Sequence, residues 1–229
     1  MSGNAFKVND KVNAKIAEKL FPSVCFRSLS RAVRGLHATS SSKHGGDCLE
    51  IAIVSAAALN QLGIPASIVI GESAWRVDGN SDGAVIGHTA HAVNHVTELT
   101  KNTNLPAVPF HAWLKLNEYW ELDLSTYQFQ MKMEALDAVD GLKTPVSWKP
   151  DYLFFNQSQV SSFNAVQQAY SEGIIFYQKD TDNAQKIKDI IKSKQVDLTD
   201  DINMLLFIYK QVKEGTLETV VGPEGTVLI

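Results

Sequence analysis

One segment constrains this chain more than any other. Cys48 through Leu62 has the length and composition of a helix, yet Leu49, Ile51, Ala52, Ile53, Val54, Ala56, Ala57, Ala58 and Leu59 put apolar groups on nearly every side of it. A helix of that kind has no solvent face. It must run through the middle of a domain, contacted by several elements, and the rest of the fold has to be built around it. Its ends are marked: Asp47 stands as N-cap with Glu50 three residues on, as in a capping box, and Gly63 and Pro65 stop it.

The flanking patterns supply the surroundings. Asn9-Asp10 precede a helical pattern through Val12, Ile16, Leu20 and Phe21 that stops at Pro22, and a second helix is predicted from Val24 to Leu36. Ala38 to Gly46 has turn chemistry and no periodicity, so it reads as a loop. After the central helix, Ala66 to Ile70 reads as a strand, with Ala74 to Val77 continuing it beyond Gly71. An insertion is expected over about 78–109, opening on the turn residues Asp78 to Gly83 and holding one short helix around Thr89 to Leu99. Two strands then follow, His111–Leu116 and Tyr119–Leu124, joined at Asn117-Glu118 as a hairpin. Further on, a helix is predicted over Lys132–Val139 and strands over Tyr152–Phe155 and Ile174–Tyr177. A charged helix over Thr181–Lys194 and a final helix over Ile202–Val212 precede a tail that contains glycines. The expected fold is one α+β domain over 1–229, with N-terminal helices and the cysteine-bearing helix packed on an antiparallel sheet. Its core covers about 44–126, and helices and strands fill 127–229.

Composition removes several classes of function. The net charge is −4, and no stretch concentrates Lys and Arg without an acid nearby, which argues against a nucleic-acid partner. The longest apolar run, Ile51 to Leu59, is too short to span a bilayer, so no membrane partner is expected. Two cysteines, Cys25 and Cys48, are too few for a disulfide-stapled secreted scaffold. With neither a secretory signal nor a membrane anchor visible, the expected setting is reducing and cytoplasmic.

The chemistry gathers at three places. Cys48 opens the central helix, where unpaired amides and the positive end of the helix dipole favour a thiolate. His111 shares a strand face with Trp113 and Lys115, and Asp123 is the acid between Leu122 and Leu124 on the partner strand. A two-residue turn pairs Ala112 with Asp123 and leaves His111 one step away; direct pairing needs a bulge or a register shifted by one. Taken singly, these are a small buried hydrophobe, a satisfied core histidine and a strand-end cap. Taken together, they are the parts that build and orient a thiolate nucleophile. Gly45-Gly46 ahead of the cysteine allow close backbone approach by a substrate.

The stretch Gly46-Asp47-Cys48-Leu49-Glu50 through Leu59, with Leu62-Gly63-Ile64-Pro65-Ala66 and Val69-Ile70-Gly71, resembles the first motif of the transglutaminase-like superfamily of papain-like cysteine enzymes. His111-Ala112-Trp113 and Trp120-Glu121-Leu122-Asp123 resemble its second and third. The resemblance covers about residues 44 to 126. It implies a papain-like, transglutaminase-like core with Cys48 as nucleophile, His111 as base and acid, and Asp123 as the residue that orients His111. His44 to Glu50 also resembles the Arg-Gly-Gly-x-Cys-x-Glu motif of the arylamine N-acetyltransferases, with His44 in the arginine's place. No tryptophan precedes Cys48 to match the oxyanion partner of animal transglutaminases, which leaves Ser42, His44, Gly46 and Trp113 as oxyanion or cleft candidates.

The function expected from this is hydrolysis of a peptide or small amide by a cysteine peptidase or amidase, through a Cys48 thioester and without a cofactor. An amine acyltransferase and a catalytically silent binding module on the same fold are the alternatives. A third reading, a zinc-dependent hydrolase, rests on His88, His91 and His95, whose spacings of three and four put them on one helical face if that segment is a helix.

Overall fold

The computed structural model describes residues 5–39, 48–82, 84–89, 110–223 and 225–229. Three helices open the chain. α1 (Asp10–Leu20) is capped by the Asn9 side chain, which accepts from the Val12 amide at 3.1 Å, and α2 is Phe26–Thr39. The all-apolar segment is α3 (Cys48–Gln61), and both its sides are buried, from Ile51, Ala52 and Val54 to Ala58 and Leu59. Burying each of its large aliphatic side chains contributes about 1.5–3 kcal/mol, so the cost of an all-apolar helix is recovered only at the centre. It ends in a two-bond Schellman stop: Ile64 N–H reaches Leu59 O at 2.9 Å and Gly63 N–H reaches Asn60 O at 3.1 Å, with Gly63 at φ 80°. The Asn60 side chain then ties Ala66 N and O to the helix end and sets the exit angle into the first strand.

Among the described residues six strands form one antiparallel sheet: β1 (Ser67–Arg76), β2 (Val85–His88), β3 (His111–Lys115), β4 (Trp120–Asp123), β5 (Leu153–Asn156) and β6 (Ile175–Lys179). β1 is continuous through Gly71, where the sequence suggests an interruption. The reason is steric: a Cβ at Gly71 would lie 2.0 Å from the Gln178 carbonyl oxygen and 2.8 Å from the Trp113 ring, so only glycine lets β6 and Trp113 close on this strand. Gly71 pairs with both His111 and Lys179, and Ser73 with both His88 and Tyr177. β6 therefore occupies one edge of β1, and β2 and β3 lie end to end along the other. β2 falls inside the span expected to be an insertion. Its four residues are too few for alternation to be legible, and β1 supplies its order through the Trp75↔Ile86 and Arg76↔Val85 pairs.

The β3–β4 hairpin corrects the expected register. Leu114 pairs with Leu122, Lys115 with Glu121, and Leu116 N–H reaches Trp120 O at 3.0 Å. The turn is thus Asn117-Glu118-Tyr119, three residues instead of two, because the Asn117 carboxamide accepts from the amides of Tyr119 and Trp120. One extra turn residue shifts the second strand by one and moves Asp123 onto the face that carries His111.

The sheet has an apolar layer on each face. Ile70, Ala112, Leu114, Leu122 and Phe154 pack against α2, α3 and the late helix α8 (Thr199–Lys213). Trp75, Ile86, Trp113, Phe155 and Tyr177 pack on the other face against Phe129 and Met133 of α4 (Phe129–Asp140). The remaining helices are α5 (Phe163–Gln168), α6 (Thr181–Lys186) and α7 (Lys188–Asp197). The single helix expected over Thr181–Lys194 is therefore divided at Ile187. The tail forms a hairpin of β7 (Thr219–Gly222) and β8 (Gly225–Leu228), laid against α2. No described helix is long and apolar enough to cross a membrane.

Candidate active site

Cys48 is the first residue of α3 and only 4% exposed. Burial pushes its thiol up. The hydrogen bond and charge of His111 act against that, with smaller help from the Lys132 ammonium and the Ala112 backbone amide, and the net result is a thiol below its ordinary value. The helix start adds its partial positive charge in the same direction.

His111 begins β3 and has no exposed surface. Its Nε2 lies 2.7 Å from Asp123 Oδ2. That carboxylate is saturated: Oδ2 also accepts from the Tyr177 hydroxyl at 2.7 Å, and Oδ1 accepts from the Ser125 amide and hydroxyl, both at 2.8 Å. Burial pushes Asp123 up, but the charge and hydrogen bond of His111, then Lys132 and Tyr177, hold it well below the usual carboxylate range. An ionised carboxylate can only accept, so the proton on Nε2 points at Asp123 and Nδ1 is left as the basic nitrogen. Among the described residues no partner meets the buried Nδ1 in good hydrogen-bond geometry, so the hydrogen bond through which the Cys48 thiol acts on this ring is a loose one. Burial lowers His111; the Asp123 charge and hydrogen bond, followed by those of Cys48, more than offset this and raise it above the ordinary imidazole value.

The ring is held on both faces. Continuing from β2 into β3, the side chains of Ile86, His88, His111 and Trp113 follow one another along the same edge of β1, opposite Trp75, Ser73, Gly71 and Val69. The His111 ring stacks on His88 (centroids 5.4 Å apart, planes at 22°) and on Trp113 (5.9 Å, 15°), and Trp75 meets it edge-on at 4.9 Å. Trp113 is fixed in turn by donating its Nε1–H to Glu121 Oε2 at 2.5 Å, while Glu121 also receives Lys179 and Gln157. Burial, reinforced by Lys132 and His111, drives His88 well below 6.5, so it stacks as a neutral ring. Lys132 of α4 places its ammonium 5.3 Å from the Trp75 ring centre.

Of the residues singled out from the sequence, Cys48, His111 and Asp123 come together, and Trp113 walls the His111 ring from a buried position. Ser42, His44, Gly46, His91 and His95 lie outside the described residues. The helical-face reading of the three histidines fails at its first member, because His88 ends a strand and its ring stacks on His111. Among the described residues no group of three or more metal-ligating side chains is assembled. Sequence reasoning missed Ser125, Tyr177, Trp75 and Lys132. Ser125 was legible, since Asp-x-Ser at a strand end favours an aspartate that bonds the backbone two residues on. Tyr177 stands 54 residues from Asp123 and only the β1–β6 pairing brings it near.

No family model matches this chain, and no curated protein matches it. Among solved structures, a crystal structure designated genomics APC5867 matches with a TM-score of 0.51 at 15% identity, over 98% of this chain and 94% of that one. At that identity the likeness speaks for the fold.

Proposed function

We propose that this chain is a cysteine-dependent acyl-group enzyme on a papain-like, transglutaminase-like core, and that its reaction is hydrolysis of a peptide or small amide. The observation that supports this reading is a juxtaposition of groups: a thiol at a helix start that interacts with the His111 ring, an imidazole whose Nε2 is fixed by a saturated carboxylate, and an Nδ1 not taken up by that carboxylate. His111 Nδ1 takes the thiol proton and Cys48 Sγ attacks the acyl carbon, forming the C–S bond as the carbonyl π pair moves to oxygen. Collapse of that oxyanion breaks the C–N bond, and the proton on Nδ1 passes to the departing amine. Water then gives a proton to the same nitrogen as its oxygen bonds to the thioester carbon, and collapse of the second oxyanion breaks the C–S bond, releases the carboxylic acid and returns the Nδ1 proton to Cys48 Sγ. An amine in place of that water would make the reaction a transfer. Throughout, Asp123 holds the ring and supports the imidazolium without itself taking a proton. The expected setting is a reducing, cytoplasmic one, in which Cys25 and Cys48 both stay free thiols.

Iodoacetamide labelling at pH 6 tests the nucleophile, with Cys25 as internal reference and Cys48→Ala as control. The proposal expects Cys48 to react about tenfold faster than Cys25 or more, given the thiolate that an imidazolium stabilises. Electrophilic acyl-donor probes on the same two proteins then report the acyl preference. Equal rates at the two cysteines would sink the thiolate reading. One observation favours the silent binding module: Cys48 is 4% and His111 0% exposed, so substrate entry requires an opening. In that case Cys48 labels only at the rate of global unfolding, in native buffer and with every probe.

A further inference from the structure

Asp123 receives more support than the geometry of a triad needs. Ser125 alone anchors the carboxylate, through two bonds to Oδ1. The Tyr177 hydroxyl instead donates to Oδ2, the oxygen that His111 uses, and that hydroxyl in turn accepts Trp75 Nε1–H at 2.8 Å. Trp75 and Tyr177 are 0% and 3% exposed, so this donor relay runs through dry protein, where each bond polarises the next. Asp123 Oδ2 therefore shares its charge between two donors, and only one of them is the imidazole.

We propose, building on the thiolate reading above, that Tyr177 is a positioning residue acting through Asp123: by occupying one lone pair of Oδ2, it limits how strongly His111 holds its proton. The chemistry requires such a limit. An imidazolium bound too tightly to its carboxylate keeps the proton that the leaving amine must receive. Among the described residues, the ionisable groups facing this cluster are Cys48 on α3, His88 on β2, Asp123 and Glu121 on β4, Lys132 on α4 and Tyr177 on β6. Of these, Tyr177 is the neutral hydroxyl donor on the shared oxygen. Burial, together with the Asp123 charge and hydrogen bond, keeps its phenol well above its ordinary value, so it remains a donor across the working pH range.

The test is an NMR titration of the His111 ring in isotope-labelled wild type, Tyr177→Phe and Trp75→Phe, beside the iodoacetamide rate profile of each. Tyr177→Phe concentrates the Asp123 charge on His111 and is expected to raise the His111 pKa by about 0.5–1 unit, carrying the alkaline limb of Cys48 alkylation with it. Trp75→Phe removes the donor behind the tyrosine and is expected to give a smaller shift of the same sign. Global replacement of tyrosine by 3-fluorotyrosine, which donates more strongly and opens no cavity, is expected to shift it the other way; this arm stands even if Tyr177→Phe fails to fold. An unchanged His111 pKa in folded Tyr177→Phe, or a fall, overturns the proposal, as does a 3-fluorotyrosine protein that titrates like wild type. The two readings fail separately. The titration reports Tyr177 whatever the reactivity of Cys48, and the wild-type alkylation rate at pH 6 reports the thiolate whatever the titration shows.

Discussion

Replacing Asp123 by asparagine changes one oxygen into an NH2 group and removes a charge, and the surroundings dictate the outcome. The carboxylate accepts four hydrogen bonds: His111 Nε2–H and Tyr177 O–H on Oδ2, and the Ser125 amide and hydroxyl on Oδ1. If the asparagine oxygen stays with Ser125, its NH2 faces two groups that were donors. His111 can answer by moving its proton to Nδ1 and accepting at Nε2, and the nitrogen next to Cys48 is then no longer a base. If the side chain flips, the NH2 opposes the two Ser125 donors instead. Either arrangement leaves donors facing donors in a buried site, at about 1–3 kcal/mol for each group left unsatisfied. For a chain of this size one such group lowers the thermal midpoint by roughly 2–12 °C. The charge that raised His111, and through it helped to lower Cys48, is also lost, so thiolate formation at pH 7 is expected to fall by up to about 30-fold, the margin between a fully ionised thiol and an ordinary one. Iodoacetamide rates at Cys48 between about pH 5 and 9, with melting curves of the same samples, measure both effects. A variant that alkylates at the wild-type rate at pH 7, at an unchanged midpoint, refutes the tautomer reasoning.

Three further outcomes follow from the packing. Gly71→Ala places a methyl group 2.0 Å from a backbone oxygen of β6, so it is expected to cost about 3 kcal/mol or more, seen as a midpoint lower by roughly 6–12 °C, and to loosen the Trp113 stack. Ser55→Ala removes a buried hydroxyl that has no hydrogen-bond partner among the described residues and is expected to raise stability by up to about 1 kcal/mol in urea unfolding; a loss of similar size would show that the hydroxyl is satisfied in solution. His88 has a folded pKa well below 6.5, so as pH falls through 6.5 the unfolded chain binds a proton that the folded chain refuses, and stability drops. His88→Phe keeps the stack on His111 and removes that loss. Its stability relative to wild type should rise as pH falls below about 6.5 and level off above about 7.5, and a pH-independent difference would contradict the assignment.

The elements that could be read from the sequence are those whose information is local. The apolar belt and the stop signals of α3, the break at Pro22 and the alternation around Trp113 and Leu122 all lie within a few turns or strand residues of one another. What escaped depended on partners far along the chain. β2 is ordered by β1. The turn at Asn117 gained a residue through a side-chain bond that periodicity does not report, and that single residue decides whether Asp123 faces His111. Tyr177 and Trp75 have ordinary strand signatures, and nothing in their neighbourhoods distinguishes them from other core aromatics until β6 is laid beside β1.

The end-to-end placement of β2 and β3 along one edge of β1 has a consequence for how this chain tolerates change in length. His88 and His111 stand at neighbouring positions of one ladder, because their partners Ser73 and Gly71 are two residues apart. Each of the two strands takes its register from β1. The position of His111 is therefore set by its pairing with Gly71 and not by its separation in sequence from His88, so a change in that separation is expected to cause no slip of His111.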